Sequence, residues 1–97
     1  MPTYISFLSY TQQGIAAVKH GPARLDAAKE AYRKAGGEVK GFYLTMGRYD
    51  MILIAELPND ETVATLALGL GAAGNVRSET VRAFTETEYR KVVGTLP

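Results

Sequence analysis

Residues 38–57, EVKGFYLTMGRYDMILIAEL, contain two runs rich in aromatic, β-branched and other apolar residues, separated by Gly47-Arg48. Runs of this composition favour β-strands, and a glycine between them tolerates the unusual dihedral angles of a tight reversal. We therefore predict strands over Glu38–Met46 and Tyr49–Leu57, joined as an antiparallel hairpin.

A helix pattern lies on each side of this hairpin. Upstream, Gly21-Pro22 begins and Gly36-Gly37 ends a segment whose apolar residues recur at spacings of three and four. Downstream, Asn59 is a suitable N-cap for a second amphipathic segment, which Gly74-Asn75 ends. Each segment has one apolar stripe, so each helix is expected to lie on a surface of the sheet.

The outer parts of the chain add two more strands. Thr3–Tyr10 and Val76–Thr85 have the composition and alternation of strands, and Thr11 is placed to cap a short helical turn. The resulting order, β-α-β-β-α-β, predicts an α+β, ferredoxin-like fold in which two helices cover one face of a four-stranded antiparallel sheet. We expect a single domain over residues 1–97, with a short C-terminal tail at 86–97 that forms a helix.

Strand alternation places large apolar side chains on both faces of this sheet. On three of the strands the two opposing sets are Ile5 and Phe7 against Tyr4, Leu8 and Tyr10; Val39 and Tyr43 against Phe42, Leu44 and Met46; and Met51 and Leu53 against Ile52 and Ile54. A monomer rarely exposes an apolar patch of this size. We therefore expect a homodimer, or a higher oligomer, joined through the sheet face without helices.

Composition and charge exclude several classes of function. The 97 residues carry a net charge of +1, with no cysteine, so disulfides, thiolate metal sites and cysteine redox chemistry are excluded. Such a balanced charge argues against nucleic-acid binding. No apolar run is long enough for a membrane span or a signal peptide, and we expect a cytoplasmic protein with no membrane contact.

His20 is the single histidine and lies in a basic stretch, residues 19–24, at the start of the first long helix. Positive charge opposes the dipole at a helix N-terminus unless an anion binds there. The stretch is therefore either an anion site or a solvated basic turn. The near-neutral pKa of histidine also makes His20 a candidate general base.

Tyr10, Tyr43, Tyr49 and Asp50 lie on or beside the predicted strands. Phenol rings with one carboxylate can line a small pocket and orient a polar or aromatic ligand. The alternative is structural: the tyrosines pack at an interface or in the core, and Asp50 accepts hydrogen bonds from turn N–H groups. No motif for metal ligation, nucleotide binding or a catalytic triad accompanies them, and we expect neither a metal nor a cofactor.

The run Gly47-Arg48-Tyr49-Asp50 resembles the signature of the GYD-domain family. Segments elsewhere match in the same order: Tyr4–Leu8 with Thr11 and Gly14, Gly74–Arg77, and Val81–Thr85 with Glu88. The resemblance implies a small prokaryotic protein of the dimeric α+β barrel type, in a family without an established activity.

Two functions are compatible with these observations. The first is a homo-oligomeric module that binds a small organic or anionic ligand near Tyr10, His20, Tyr43, Tyr49 and Asp50. The second is a small cofactor-independent oxygenase or isomerase, with His20 or Asp50 as the base and a tyrosine hydroxyl that stabilises an oxyanion.

Overall fold

A computed structural model describes residues 1–97. In chain order the elements are β1 (Thr3–Tyr10), α1 (Gln12–Ala16), a 3₁₀ turn (Val18–His20), α2 (Gly21–Lys34), β2 (Glu38–Leu44), β3 (Met51–Glu56), α3 (Asp60–Ala73), β4 (Val76–Ala83) and α4 (Glu86–Gly94).

The four strands form one antiparallel sheet in the order β2-β3-β1-β4. β1 is an inner strand: Leu8 faces Met51 of β3 on one side and Ser78 of β4 on the other. This strand order, with α2 and α3 as the connections between strand pairs, confirms the predicted ferredoxin-like α+β fold.

The hairpin between β2 and β3 is confirmed, but its strands are shorter than predicted. The connection runs from Thr45 to Asp50 and is closed by hydrogen bonds from the Thr45 N–H to the Asp50 carbonyl oxygen and from the Thr45 hydroxyl to the Tyr49 carbonyl oxygen. Gly47 has a φ of +116°, which a residue with a side chain rarely adopts. These local bonds replace the ladder bonds that longer strands would make.

β4 also ends early, at Ala83, because Thr85 is the N-cap of α4. The Thr85 hydroxyl accepts from the Glu88 N–H, and the Glu88 carboxylate accepts from the Thr85 N–H. This reciprocal capping holds the pKa of Glu88 below its usual range. The C-terminal tail therefore begins as a well-capped helix.

α4 makes little contact with the rest of the chain, and its apolar side chains Tyr89, Val92 and Val93 are exposed. The protein is accordingly elongated, with a long axis of 52 Å and a radius of gyration of 14.6 Å, against roughly 12.5 Å expected for a compact domain of this length.

The buried core is small and lies between the sheet and its helices. Only 9 of the 97 residues are buried. The apolar members come from β1 and β3 together with one residue of α2 and one that follows β3: Tyr4, Leu8, Tyr32, Met51, Leu53, Ala55 and Leu57. Ser6, the buried polar side chain among them, shares a 2.8 Å hydrogen bond with the Thr80 hydroxyl, so its burial leaves no polar atom unpaired.

The opposite face of the sheet, which we call the open face, carries no fully buried residue and combines apolar side chains with four charged residues, Glu38, Glu56, Arg77 and Glu79. By strand alternation it presents Ile5, Phe7, Tyr43, Ile52, Ile54 and Val81. Tyr43 is 60% exposed and Val81 41% exposed. The expectation of apolar side chains on both faces of the sheet therefore agrees with the structure. The grouping of Val39 with Tyr43 was wrong, because the register shifts between Val39 and Gly41 and places Val39 opposite Ala55, on the helix-covered face.

Candidate functional site

A cavity of about 590 Å³ lies between the helix-covered face of the sheet and the segment from α1 to α2. We call it the sheet–helix cavity. Its lining is mainly apolar and includes Leu8, Tyr10, Ile15, Val18, Leu25, Ala28, Phe42, Leu44, Met51, Leu53, Leu70 and Val76, with Arg24, Asp50 and Asn75 as its charged or amide-bearing residues. Its volume falls within the range of small-molecule pockets, and its apolar lining with a few polar groups is typical of them.

Small side chains explain why this space is not filled. Ala28 of α2 lines the sheet–helix cavity and also a second cavity of about 380 Å³ between α2 and α3. The other small residues that line this second cavity are Ala27, Ala31, Gly69 and Ala73. Neither helix offers a large side chain at these positions, and α3 has no buried residue. The two helices therefore leave a gap over the sheet instead of closing it.

One end of the sheet–helix cavity is fixed by contacts between the start of α1 and the turn from α3 to β4. The Thr11 N–H donates to the Asn75 carbonyl oxygen at 3.1 Å, and the Thr11 hydroxyl donates to the Gly74 carbonyl oxygen at 2.6 Å. Gln13 Nε2 donates to Asn75 Oδ1 at 3.0 Å. We call this set of contacts the turn clamp. It holds Asn75, and with it Val76, against the end of β1.

Gly14 lies at the centre of the turn clamp. A Cβ at this position would lie 1.9 Å from the Asn75 carbonyl oxygen, which is well inside van der Waals contact. The two backbones therefore approach as closely as they do because residue 14 has no side chain.

Asp50 joins the β2–β3 connection to the end of β1. Its carboxylate oxygen Oδ2 accepts from the Tyr10 N–H at 2.8 Å, and its own N–H donates to the Leu8 carbonyl oxygen at 2.9 Å. The aspartate therefore extends the pairing of β1 beyond the end of β3. The sequence indicated a structural role as one alternative for Asp50, in which its carboxylate accepts hydrogen bonds from N–H groups of the turn. In the structure the carboxylate does accept from a backbone N–H, but this N–H belongs to Tyr10 of β1.

We expect Asp50→Ala to lower the free energy of unfolding by about 1–3 kcal/mol, because the half-buried Tyr10 N–H loses its acceptor. Asp50→Asn keeps an acceptor oxygen and should cost about half as much. Urea unfolding followed by circular dichroism measures both changes. Equal stability of Asp50→Ala and the unmodified protein would contradict the role assigned to this carboxylate.

The structure brings together two of the five residues predicted to bind a ligand and places three elsewhere. Tyr10 and Asp50 both line the sheet–helix cavity. Tyr43 projects from the open face, and Tyr49 packs its ring on Phe7 with the ring centroids 4.9 Å apart. His20 is exposed, at the end of the 3₁₀ turn, and is not among the lining residues. The two candidate bases, His20 and Asp50, therefore do not share this cavity.

Sequence reasoning missed most of the lining and one charged group in particular. Arg24, in the first turns of α2, is half-buried and lines both cavities. The sequence indicated a possible anion site in the basic stretch at residues 19–24, but the residue chosen from it as a ligand-binding candidate was His20. In the structure Arg24 belongs to the lining of both cavities, whereas His20 belongs to neither.

Known proteins resemble this chain in sequence. The sequence pattern that defines the GYD domain matches residues 4–93. This chain belongs to the GYD-domain family. It is 31% identical, over 85 residues, to a Thermus thermophilus protein named "Glutamine synthetase and cystathionine beta-lyase binding protein"; the alignment covers 87% of this GYD-domain chain and 90% of the relative.

A solved structure supports the fold of the GYD-domain protein. A crystal structure of a Thermus thermophilus protein superposes with a TM-score of 0.55 at 23% identity, and the match covers 88% of this chain and 95% of the other. At this level of identity the likeness concerns the fold alone.

Two further observations describe the GYD-domain chain. No group of three or more His, Cys, Asp or Glu side chains is arranged to hold a metal ion. None of its helices combines the length and apolar character needed to cross a membrane.

Proposed function

We propose that this GYD-domain protein is a homo-oligomeric binding module that holds a small, largely apolar organic molecule in the sheet–helix cavity. The observation that carries the proposal is the cavity itself, about 590 Å³ in a chain of 97 residues. An empty cavity of this size is costly in so small a domain, because the apolar side chains that line it remain in contact with water. The cost is about 25 cal/mol for each Å² of apolar surface. A ligand that covers these walls recovers that free energy.

A thermal-shift screen against organic acids, phenols and neutral apolar compounds tests this proposal. At a concentration of one hundred times its Kd, a ligand adds about 2.7 kcal/mol to the free energy of unfolding. For a domain of this size, this raises Tm by roughly 10–20 °C.

A cavity-filling variant locates the binding site. Ala28→Phe places a ring in the cavity from α2 and should remove the ligand-induced shift, whereas Ala23→Phe, at an exposed position of the same helix outside the lining, should keep it. Ala28→Leu gives an intermediate filling if the phenyl ring proves too large for the fold. The proposal fails if no compound raises Tm, or if binding survives in both Ala28 variants while each is folded by circular dichroism.

Self-association through the open face is the second part of the proposal. It is supported by six neighbouring apolar side chains on that face, two of them more than 40% exposed. A second copy covers such a face by presenting the same surface to it across a two-fold axis. Replacement of Ile5, at the centre of the open face, by lysine tests this self-association.

Binding of another protein is a second candidate function, favoured by the name of the Thermus thermophilus relative, a glutamine synthetase and cystathionine β-lyase binding protein. Tyr89, Val92 and Val93 of α4 offer an exposed apolar surface for such a partner. Analytical size exclusion with purified glutamine synthetase, and separately with cystathionine β-lyase, tests this candidate. Co-elution that is lost when Val92 and Val93 are both replaced by serine would support it, and separate elution of the unmodified proteins would contradict it.

A further inference from the structure

We propose that the occupant of the sheet–helix cavity is an organic anion, with an apolar body and a single carboxylate that pairs with Arg24. This inference rests on the proposed function, because it assigns a chemical class to the ligand of the same cavity. It requires a cation in the cavity that is free to pair, and an apolar surface that excludes a strongly hydrated molecule.

The Arg24 guanidinium is the single cation in the lining and has no partner in the protein. The four ion pairs of the chain use Arg33, Lys40, Arg82 and Arg90, and no hydrogen bond from the Arg24 side chain is formed. Arg24 is nevertheless half-buried. A guanidinium can form two parallel charge-assisted hydrogen bonds with a carboxylate, so a carboxylate ligand would give Arg24 the partner that the protein does not supply.

The other charged group of the lining is already engaged. Asp50 Oδ2 accepts from the Tyr10 N–H at 2.8 Å, and no ion pair joins Asp50 to Arg24. The internal carboxylate therefore serves the end of β1 and leaves the guanidinium available to a ligand.

The surroundings of Arg24 reinforce the preference for an anion. The first turn of α2 contains no acidic residue, so nothing there offsets the positive end of the helix dipole. Lys19 and His20 precede it closely in the chain. Arg24 and the positive end of the helix dipole would both attract a carboxylate placed beside Arg24, whereas the charge of Asp50 would repel one placed beside Asp50.

The remaining walls determine the body of the ligand. Leu8, Leu25, Phe42 and Leu53 line the same cavity, and their side chains offer no hydrogen bond. A sugar or a nucleotide would lose its hydration there without compensation. An aryl-alkyl or alkyl chain would instead bury apolar surface, so the fitting class is a medium-sized apolar carboxylate.

Two probes that share one body separate charge from shape: 4-phenylbutyrate and 4-phenylbutan-1-ol, each titrated by calorimetry into the unmodified protein. We expect the carboxylate to bind at least about 10-fold more tightly than the alcohol, as one charge-assisted pair provides. Arg24→Gln should reduce carboxylate affinity by about the same factor and leave the alcohol unchanged, and Arg24→Lys should retain part of the preference. Lys29→Gln, at an exposed position of the same helix, removes one positive charge outside the lining and is the matched control.

The outcomes distinguish this inference from the proposed function. The anion assignment would be overturned, and the proposed binding module retained, by the following combination of results. The two probes bind the unmodified protein with equal affinity, Arg24→Gln has no effect, and Ala28→Phe binds neither probe. If Lys29→Gln and Arg24→Gln lowered the preference for the carboxylate equally, the preference would come from the net charge of the protein and not from a pair with Arg24. This result would also overturn the anion assignment. Failure of both probes and of the whole screening panel to bind would overturn the inference and the proposed function together.

Discussion

Gly14→Ala is expected to lower the free energy of unfolding by about 3 kcal/mol or more. The new Cβ would lie 1.9 Å from the Asn75 carbonyl oxygen and 2.8 Å from the carbonyl carbon. These atoms belong to the backbone at the start of β4, so they cannot rotate away as the end of a flexible side chain would. Relief requires α1 and the α3–β4 turn to separate.

That separation would break the turn clamp. The Thr11 hydroxyl, which donates to the Gly74 carbonyl oxygen and accepts from the Gly14 N–H, lies in the same contact. We therefore expect the added methyl group to lose these hydrogen bonds as well as the packing. Thermal unfolding should show a fall in Tm of roughly 12–24 °C.

Gly69→Ala is the matched control, because it adds the same methyl group within α3 where no atom lies within 4 Å of the new Cβ. It should raise the free energy of unfolding by about 0.5–1 kcal/mol, since alanine has a higher helix propensity than glycine. If Gly14→Ala were as stable as Gly69→Ala, the close approach of the two backbones at the turn clamp would not contribute to the free energy of unfolding.

Ile5→Lys is expected to abolish the proposed self-association through the open face, so that the variant is a monomer. Ile5 lies on the inner strand β1, at the centre of the open face, where it is flanked by Ile54 and Val81. In a dimer formed through this face, the ammonium group would be buried without a partner, at a cost of roughly 3–5 kcal/mol for each copy. In a monomer the lysine extends into water and the cost largely disappears.

Light scattering coupled to size exclusion measures this change. At micromolar concentration the unmodified protein should have twice the mass of the 10.5 kDa protomer, and Ile5→Lys should have the mass of one protomer. Ala64→Lys, on the exposed surface of α3, adds the same charge away from the open face and should remain dimeric. A monomeric unmodified protein, or a dimeric Ile5→Lys variant, would contradict self-association through this face.

Local patterns were sufficient to predict most of the fold. The alternation of β1, the caps at Thr11 and Asn59 and the left-handed C-cap at Gly74 each depend on neighbouring residues in the chain, and all are found in the structure. The exact ends of β2, β3 and β4 were wrong, because hydrogen bonds of Thr45 and Thr85 terminate the strands where composition alone would continue them.

The candidate site was less accessible to prediction because it depends on which face of the sheet the helices cover. Tyr10 and Asp50 were two of the five residues predicted to bind a ligand, and both belong to the lining of the sheet–helix cavity. Alternation alone grouped Tyr43 with one set of side chains without saying whether that set faced helices or the open side. The gap between α2 and α3 arises from several small residues that are far apart in the sequence, and no local pattern indicates it.

The inner position of β1 has a consequence for the order in which the protein is assembled. The strand that leaves the ribosome first pairs with β3 and with β4, so Thr3 faces Glu56 on one side and Ala83 on the other. β1 has no partner until β3 has been synthesised, and its second edge stays unpaired until β4 follows. The connection between β1 and β4 spans residues 11–75, and bringing its ends together costs conformational entropy. A chain that stops before β4 would retain an unpaired edge on β1, so the sheet is complete only once β4 has been synthesised and has paired with it.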